Sequence, residues 1–210
     1  KANKIVERGV IRIITPGTIL SENILQGKEF NYLCAFDITA DKKENITGIC
    51  FLELSTGKFQ LTEFSDNSKY EKLETELIKF KPAEFVISES LTDKHPKLKE
   101  ILAQFENTRI NYFEDWKFDY NTGLKTLTDL LKTASLDGFG CQNRFRAVAC
   151  AGSLIKYIEE TQMVEPTHIH TLTFYNIEDY LIIDGDTRRN LELITTMRDN
   201  SSEYTLFWAV

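Results

Sequence analysis

The feature that most constrains the fold is a change in hydrophobic period near residue 68. Before that point the chain holds three strand-like segments in a row, whereas after it short strands alternate with helical segments. Consecutive strands can pair as an antiparallel meander, but a parallel strand must be reached through a crossover, usually a helix. The sequence therefore predicts an α/β domain with a mixed sheet.

The first three strands are indicated by two apolar runs and one alternating segment. Tyr32–Ile38 and Ile46–Leu54 are nearly continuous in apolar residues, which is typical of strands buried on both faces. A turn at Thr56-Gly57 leads into Lys58–Phe64, where polar and apolar residues alternate. This pattern predicts a hairpin whose second strand is half exposed.

Helical spacing begins with Ser68-x-x-Glu71, which resembles a capping box and opens a helix that Pro82 terminates. The further predicted elements are strands at 84–88 and 109–113 and helices at 93–105, from Asn121 onward, and at 147–162. Together the elements follow the order of ribonuclease-H-like domains, a likeness of fold that says nothing about chemistry. Outside this unit the pattern predicts a strand at Val10–Thr15, strand-like pieces at 169–174 and 180–183, and a helix that Asp186 caps and that contains Leu191, Ile194 and Met197.

The composition is that of a globular protein with an acidic main body. Hydrophobic residues make up 42% and charged residues 27% of 210 residues, and the net charge is −7. Residues 31–165 carry 22 acidic and 17 basic side chains, which favours a protein partner over the phosphate backbone of DNA. No apolar run is long enough for a membrane span, and no signal peptide is recognisable, so we expect a cytoplasmic protein. Because the chain begins with Lys1, we expect the natural N-terminus to lie upstream.

Candidate metal ligands are few. Cys34, Cys50, Cys141 and Cys150 form no C-x-x-C pair, and we interpret them as small buried residues. His168-x-His170 has no third ligand at a suitable spacing. Nucleases of the ribonuclease-H type hold two Mg²⁺ ions on strand carboxylates, so Asp37, Glu53 and Glu89 allow a metal-dependent nuclease as an alternative.

No other active-site motif is recognisable. The chain has no phosphate loop, no dinucleotide-binding glycine pattern after a strand and no nucleophile elbow. The basic pair Arg188-Arg189 lies beside Asp184 and Asp186, which favours salt bridges around a helix start over phosphate binding.

Several motifs, in this order, resemble the MutS family of DNA mismatch-repair proteins. They are Arg12–Thr18 (R-I-I-T-P-G-T), Leu136–Gly140 (L-D-G-F-G), Ala149–Leu154 (A-C-A-G-S-L), Thr161-Gln162, and Asp184 followed by Thr187–Leu193 (T-R-R-N-L-E-L). The resemblance implies three parts: residues 1–30 as the exit strand of a mismatch-recognition domain with its linker, 31–165 as a ribonuclease-H-like connector domain, and 166–210 as the start of a truncated, mostly helical core domain.

The resemblance also implies the function. The parent protein would sense mismatched DNA with ATP and Mg²⁺ bound elsewhere and would be dimeric, whereas this fragment would be a monomeric, non-catalytic connector without a cofactor or metal. The connector would relay between the mismatch and ATPase domains and offer a surface to a MutL-type protein. Lys125, Thr126 and Asp129, expected to be exposed opposite a leucine stripe on the Asn121 helix, are the candidate partner surface. A free-standing scaffold module remains a further alternative.

Overall fold

A computed structural model describes residues 13–18, 31–40, 45–163, 165–179, 185–193, 196–198, 201, 203 and 205. Their strands are β1 (Tyr32–Ala40), β2 (Asn45–Glu53), β3 (Lys58–Asp66), β4 (Glu84–Ser88), β5 (Arg109–Phe113) and β6 (Thr173–Phe174). Within the described residues these strands form one sheet in the order β5-β4-β1-β2-β3-β6.

The strand directions confirm the predicted fold class. Strands β1, β2 and β3 form the antiparallel meander, while β4 pairs parallel with β1 and β5 pairs parallel with β4. The meander and the parallel pair extend from β1 in opposite directions, which is the arrangement of ribonuclease-H-like domains. The order of elements read from the sequence therefore predicted the observed arrangement of β1 to β5.

Helices cover both faces of the sheet, and each face has its own apolar core. The helices are α1 (Glu71–Phe80), α2 (Leu91–Lys94), α3 (Leu98–Ala103), α4 (Tyr120–Leu131), α5 (Phe145–Gln162) and α6 (Gly185–Asn190). Helices α4 and α5 cover one face, where Leu127, Leu154 and Ile158 belong to the core. Helices α1, α2 and α3 cover the other.

The start of α1 differs from the predicted capping box. The carboxylate of Asp66, at the end of β3, accepts hydrogen bonds from the backbone N–H groups of Leu73 (2.9 Å) and Lys72 (3.3 Å). Tyr70 has a left-handed backbone (φ 57°), and no side chain caps the helix from that position. Asp66 therefore replaces Ser68 as the side chain that satisfies the first turn.

Proline divides the helix predicted over 93–105. Helix α2 ends as the His95 N–H donates to the Leu91 carbonyl, and α3 begins only at Leu98. Pro96 lies between them and has no N–H with which to continue the first helix. Leu98, Ile101 and Leu102 on one face of α3 are nevertheless buried in the core.

The two ends of the chain are only partly described. Ile13–Thr15 is not a strand, while Val10–Arg12 and residues 180–183 lie outside the described residues. Of the predicted strand at 169–174, only Thr173–Phe174 pairs with β3. Helix α6 ends at Asn190, so Leu191 and Met197 are exposed beyond it instead of lying within it, and Ile194 is outside the described residues. The division at 30 and 165 stays a prediction.

Helix α5 approaches its neighbours closely because three contact positions are glycine. A Cβ on Gly48 of β2 would lie 2.3 Å from the backbone carbonyl carbon of Arg146. A Cβ on Gly152 would lie 2.2 Å from the Cα of Gly123 in α4. Both distances are far shorter than any real contact, so the helix can lie this close only where there is no side chain.

Gly48→Ala should lower the free energy of unfolding by about 1–3 kcal/mol, because the methyl group would push α5 away from the sheet. Urea titration measures the change. Gly138→Ala is the matched control, since a Cβ there has no neighbour within 4 Å. Equal stability of the two variants would contradict the close contact.

Candidate functional sites at the strand ends and between helices α4 and α5

Asp37, Gly48 and Glu63 lie side by side on three neighbouring strands. Asp37 of β1 pairs with Gly48 of β2, and Gly48 pairs with Glu63 of β3. Because side chains alternate between the faces of a sheet, residues in register point to the same face. Two carboxylates therefore stand on the α5 face with an open position between them.

The first turn of α5 occupies that open position. The Glu63 carboxylate accepts hydrogen bonds from the backbone N–H groups of Arg146 (2.6 Å) and Ala147 (3.1 Å). One guanidinium nitrogen of Arg146 donates to the Asp37 carboxylate at 2.9 Å. Both carboxylates thus compensate positive charge at the N-terminus of α5.

Asp37 is held in a poorly solvated place. Asp37 is 7% exposed, and this burial raises the pKa of its carboxyl group. The Arg146 guanidinium acts in the opposite direction and lowers that pKa in part. Burial similarly raises the pKa of the Cys150 thiol, to which the Asp37 charge contributes. Desolvation is therefore the largest influence on ionisation in this region.

A cavity of about 380 Å³ opens beside this pair at the C-terminal ends of β1 and β4. Its charged side chains are paired with one another: Lys94 Nζ lies 3.5 Å from the Asp115 carboxylate, and Arg146 is bound to Asp37. His95 Nδ1 is 2.8 Å from the Tyr70 hydroxyl, and burial lowers the pKa of its imidazole. Each of these charges already has a partner within the chain.

The three carboxylates considered for a nuclease do not line this cavity together. Glu53 pairs with Tyr32, five residues or roughly 17 Å along β1 from Asp37. Its carboxylate binds the backbone and hydroxyl groups of Ser55 and Thr56 in the following turn. Glu89 is exposed and outside the cavity. Among the described residues, no three His, Cys, Asp or Glu side chains are placed to hold a metal ion.

The predicted partner surface lines a groove of about 420 Å³ between α4 and α5. Lys125 and Asp129 are exposed there as expected, whereas Thr126 is only 7% exposed. The close packing of α4 on α5 covers this position, and the Thr126 hydroxyl donates to the Thr122 carbonyl of its own helix at 2.9 Å. The expectation that Thr126 is exposed was wrong.

Helix α5 supplies the opposite wall of the groove, which sequence reasoning missed. Lys156 and Glu159 form an ion pair of 2.7 Å and line the groove with Glu165. Both residues follow the helical period opposite the buried stripe of Leu154, Ile155 and Ile158. That spacing was the available signal, since polar residues on a helix face away from its core.

The cysteines behave as the sequence indicated. All four are buried and carry free thiols. Burial raises the pKa of the Cys141 thiol to about 11, so the reactive thiolate is disfavoured. His168 Nε2 lies 2.7 Å from the Leu54 carbonyl, so this ring nitrogen is bound to the backbone.

Comparison with known proteins identifies the family. Residues 31–170 match the family model described as MutS domain II. This chain belongs to the MutS domain II family. The match spans β1 to α5 and covers every residue that lines the strand-end cavity and the groove between α4 and α5.

The chain resembles longer proteins along its whole length. It is 33% identical to the DNA mismatch repair protein MutS of Protochlamydia amoebophila, covering 100% of this chain and 24% of that protein. It is 36% identical to the DNA mismatch repair protein MutS of Halothermothrix orenii, covering 98% of this chain and 22% of that protein. This MutS domain II chain thus spans about a quarter of the length of the relatives it matches.

A solved structure with a similar arrangement is the Holliday junction resolvase of Fowlpox virus. It covers 60% of this MutS domain II chain and 98% of its own, at 10% identity and a TM-score of 0.40. A likeness of this size says nothing about chemistry. Separately, no helix among the described residues has both the length and the apolar character required to cross a membrane.

Asp37→Asn should flatten the pH dependence of stability in the weakly acidic range. Since its pKa is raised on folding, Asp37 binds its proton more tightly in the folded chain than in the unfolded one. Its contribution to the free energy of unfolding therefore falls as the pH rises from about 3.9 through the raised pKa, by about 1.4 kcal/mol for each tenfold difference in proton affinity. Urea titrations across this range test the effect, with the exposed Asp129→Asn as control. Parallel pH profiles for wild type and Asp37→Asn would refute it.

Proposed function

We propose that this chain is the connector-containing part of an ATP-dependent DNA mismatch-recognition protein, and that it is not catalytic by itself. The observation that carries the proposal is the MutS domain II match over 31–170 within a chain similar to MutS proteins along its entire length. The proposal places mismatch reading, ATP and Mg²⁺ outside this chain, in a dimeric cytoplasmic parent protein. We propose that the isolated chain is a monomer.

The anchoring of α5 supports a relay between neighbouring domains. Its first turn is fixed to the sheet through Glu63 and Asp37. Its last turn binds the N-terminal segment, since the Ile13 N–H donates to the Thr161 carbonyl at 2.7 Å and the Gln162 side chain donates to the Ile13 carbonyl at 3.1 Å. A helix of 18 residues is roughly 27 Å long, so a displacement at one end can be transmitted to the other.

The strand-end carboxylates support the non-catalytic part of the proposal. In a two-metal nuclease such carboxylates bind the metal ions that clamp the reacting oxygens. Here Asp37 and Glu63 instead bind the guanidinium and the first N–H groups of α5. One oxygen of each carboxylate, Asp37 Oδ2 and Glu63 Oε2, holds the helix.

The groove between α4 and α5 is the surface that we propose for a MutL-type partner. It is concave and lined by charges of both signs, with exposed Lys125 and Asp129 on one wall and the half-buried ion pair of Lys156 and Glu159 on the other. Mixed charges on a rim give specificity and guide encounter more than they add affinity. A protein surface with the complementary pattern fits this groove better than the uniformly negative phosphate backbone does.

Charge reversal tests this surface. Lys125→Glu and Asp129→Lys should each weaken binding of a purified MutL-type protein about tenfold. Each reversal places a charge of the groove opposite a like charge of the complementary partner surface. Calorimetric titration of the chain measures the effect. Lys132→Glu serves as the matched control, since Lys132 follows the same helix and is exposed outside the groove. Unchanged binding by both groove variants would exclude this surface.

DNA provides a second test. We expect weak binding without preference for a mismatch, because the acidic main body of residues 31–165 opposes phosphate contacts. An anisotropy titration at physiological salt, with matched and mismatched duplexes, measures this preference. Mismatch discrimination by this chain would contradict the proposal that mismatches are read elsewhere in the parent protein.

Mg²⁺-dependent nicking of DNA that Asp37→Asn abolishes would instead favour the nuclease alternative.

A further inference from the structure

Glu84 is a completely buried carboxylate to which three distant parts of the chain donate hydrogen bonds. It lies at the first position of β4 and has no exposed surface. Its Oε2 atom accepts from the Gly17 N–H at 2.8 Å. Its Oε1 atom accepts from the Asn111 side chain at 2.5 Å and from the Tyr157 hydroxyl. One side chain thus joins the N-terminal segment, β5 and α5.

The segment that Glu84 holds is compact. The Thr15 N–H donates to the Thr18 hydroxyl at 2.8 Å, and the Thr18 N–H donates back to the Thr15 carbonyl at 3.0 Å. Both threonines are buried, and the Asn31 side chain donates to the Pro16 carbonyl at 2.7 Å. Residues 15–18 therefore form a small closed turn against the sheet.

The contact between this turn and Glu84 leaves no space for a side chain at position 17. A Cβ on Gly17 would lie 2.6 Å from Leu33 Cγ and 3.0 Å from Glu84 Oε2. Only a residue without a side chain brings its N–H this close to the carboxylate. The contact is thus a specific one, made by a glycine and one acid 67 residues apart.

The hydrogen bonds at Glu84 depend on one another. A buried carboxylate is stable only when donors replace its water. Among the described residues no basic side chain forms a salt bridge with Glu84, so the neutral donors alone replace the water that the buried carboxylate has lost. Burial and the neighbouring Glu84 carboxylate raise the pKa of Tyr157, which keeps its hydroxyl a donor, and the Thr15 side chain hydrogen-bonds to the same hydroxyl. Release of residues 13–18 would remove the Gly17 N–H from the carboxylate and Thr15 from Tyr157.

We propose that Glu84 is a positioning residue that latches residues 13–18 to β4 and α5. Together with the two hydrogen bonds that Ile13 makes with the last turn of α5, the latch fixes where residues 13–18 lie on the sheet, and its opening releases Gly17 from that place. The inference rests on the proposed function in one respect, because a relay between domains requires a defined joint. The latch itself is a property of this chain alone.

Amide hydrogen exchange of the 210-residue chain, followed residue by residue by NMR, tests the latch with Glu84→Gln. The Gln oxygen should remain with its two donors, Asn111 and Tyr157, so its NH₂ group would face the Gly17 N–H and leave that N–H without an acceptor. We expect Gly17 to exchange at least about tenfold faster, as for loss of a bond to a charged acceptor. Amides within α5, such as Leu154, should keep their protection.

Glu53→Gln is the matched control. Glu53 is a buried carboxylate at the same end of the sheet, but it binds Ser55 and Thr56 and not residues 13–18. Its replacement should leave Gly17 exchange unchanged. Equal Gly17 exchange in Glu84→Gln and wild type overturns the latch, and so does an equal loss of protection throughout α5, which would indicate a general defect of the core.

Gly17→Ala tests the latch if Glu84→Gln does not fold. It leaves Glu84 with Asn111 and Tyr157 but displaces the turn by contact with Leu33, so the Thr18 amide should exchange faster while α5 stays protected. Unchanged Thr18 exchange overturns the proposal. Neither measurement involves DNA or a partner protein, so failure of the latch is distinguishable from failure of the proposed function.

Discussion

The structure depends on the first turn of α5 being held between two carboxylates on the sheet. A helix N-terminus presents unsatisfied N–H groups and a partial positive charge. Glu63 accepts those N–H groups, Asp37 binds the Arg146 guanidinium, and Gly48 leaves the space between them open. Without this arrangement a buried acid on β1 and a half-buried acid on β3 would face the same side of the sheet with no compensating charge. Helix α5 in turn packs against α4 and residues 13–18, so its position fixes theirs.

The same arrangement explains how one fold can serve either catalysis or architecture. Asp37 and Glu63 lie on the same face of the sheet with β2 between them, and a positive group at that position offsets their mutual repulsion. A metal ion is one solution, and it leaves the carboxylates available for chemistry. The N-terminus of a helix with an arginine in its first turn is another, and it converts the same acids into anchors. The identity of the positive group, and not the fold, decides which role the acids have.

Local patterns in the sequence led to the strands, the order of elements and most helices, because hydrophobic period is a property of neighbouring residues. They did not reveal Glu63, Arg146 or Glu84 as anchors. Glu63 binds a residue 83 positions later, and the Asp37–Arg146 pair spans 109 positions, so no local spacing could connect them. Long-range packing also explains the error at Thr126, since the glycine contact that buries this face of α4 is made with another helix. The candidate partner surface was proposed from α4 alone, so the wall that α5 contributes to the groove was missed.

Two tyrosine–glutamate pairs show how the sheet holds the segments at its margins. Tyr157 donates to Glu84, which also holds residues 13–18, and Tyr175, just after β6, donates to the buried Glu76 of α1 at 2.5 Å. Burial raises the pKa of both tyrosines, so each hydroxyl remains a neutral donor. At Glu84 the donors are all neutral, so no second charge requires desolvation, whereas Glu76 also pairs with Lys79 Nζ at 3.4 Å. Both junctions are therefore held by directional hydrogen bonds at fixed points. The joint at residues 15–18 can open by exchanging a few hydrogen bonds for water, since its buried residues Thr15, Gly17 and Thr18 expose little apolar surface. Tyr175, in contrast, belongs to the apolar core and stays with it.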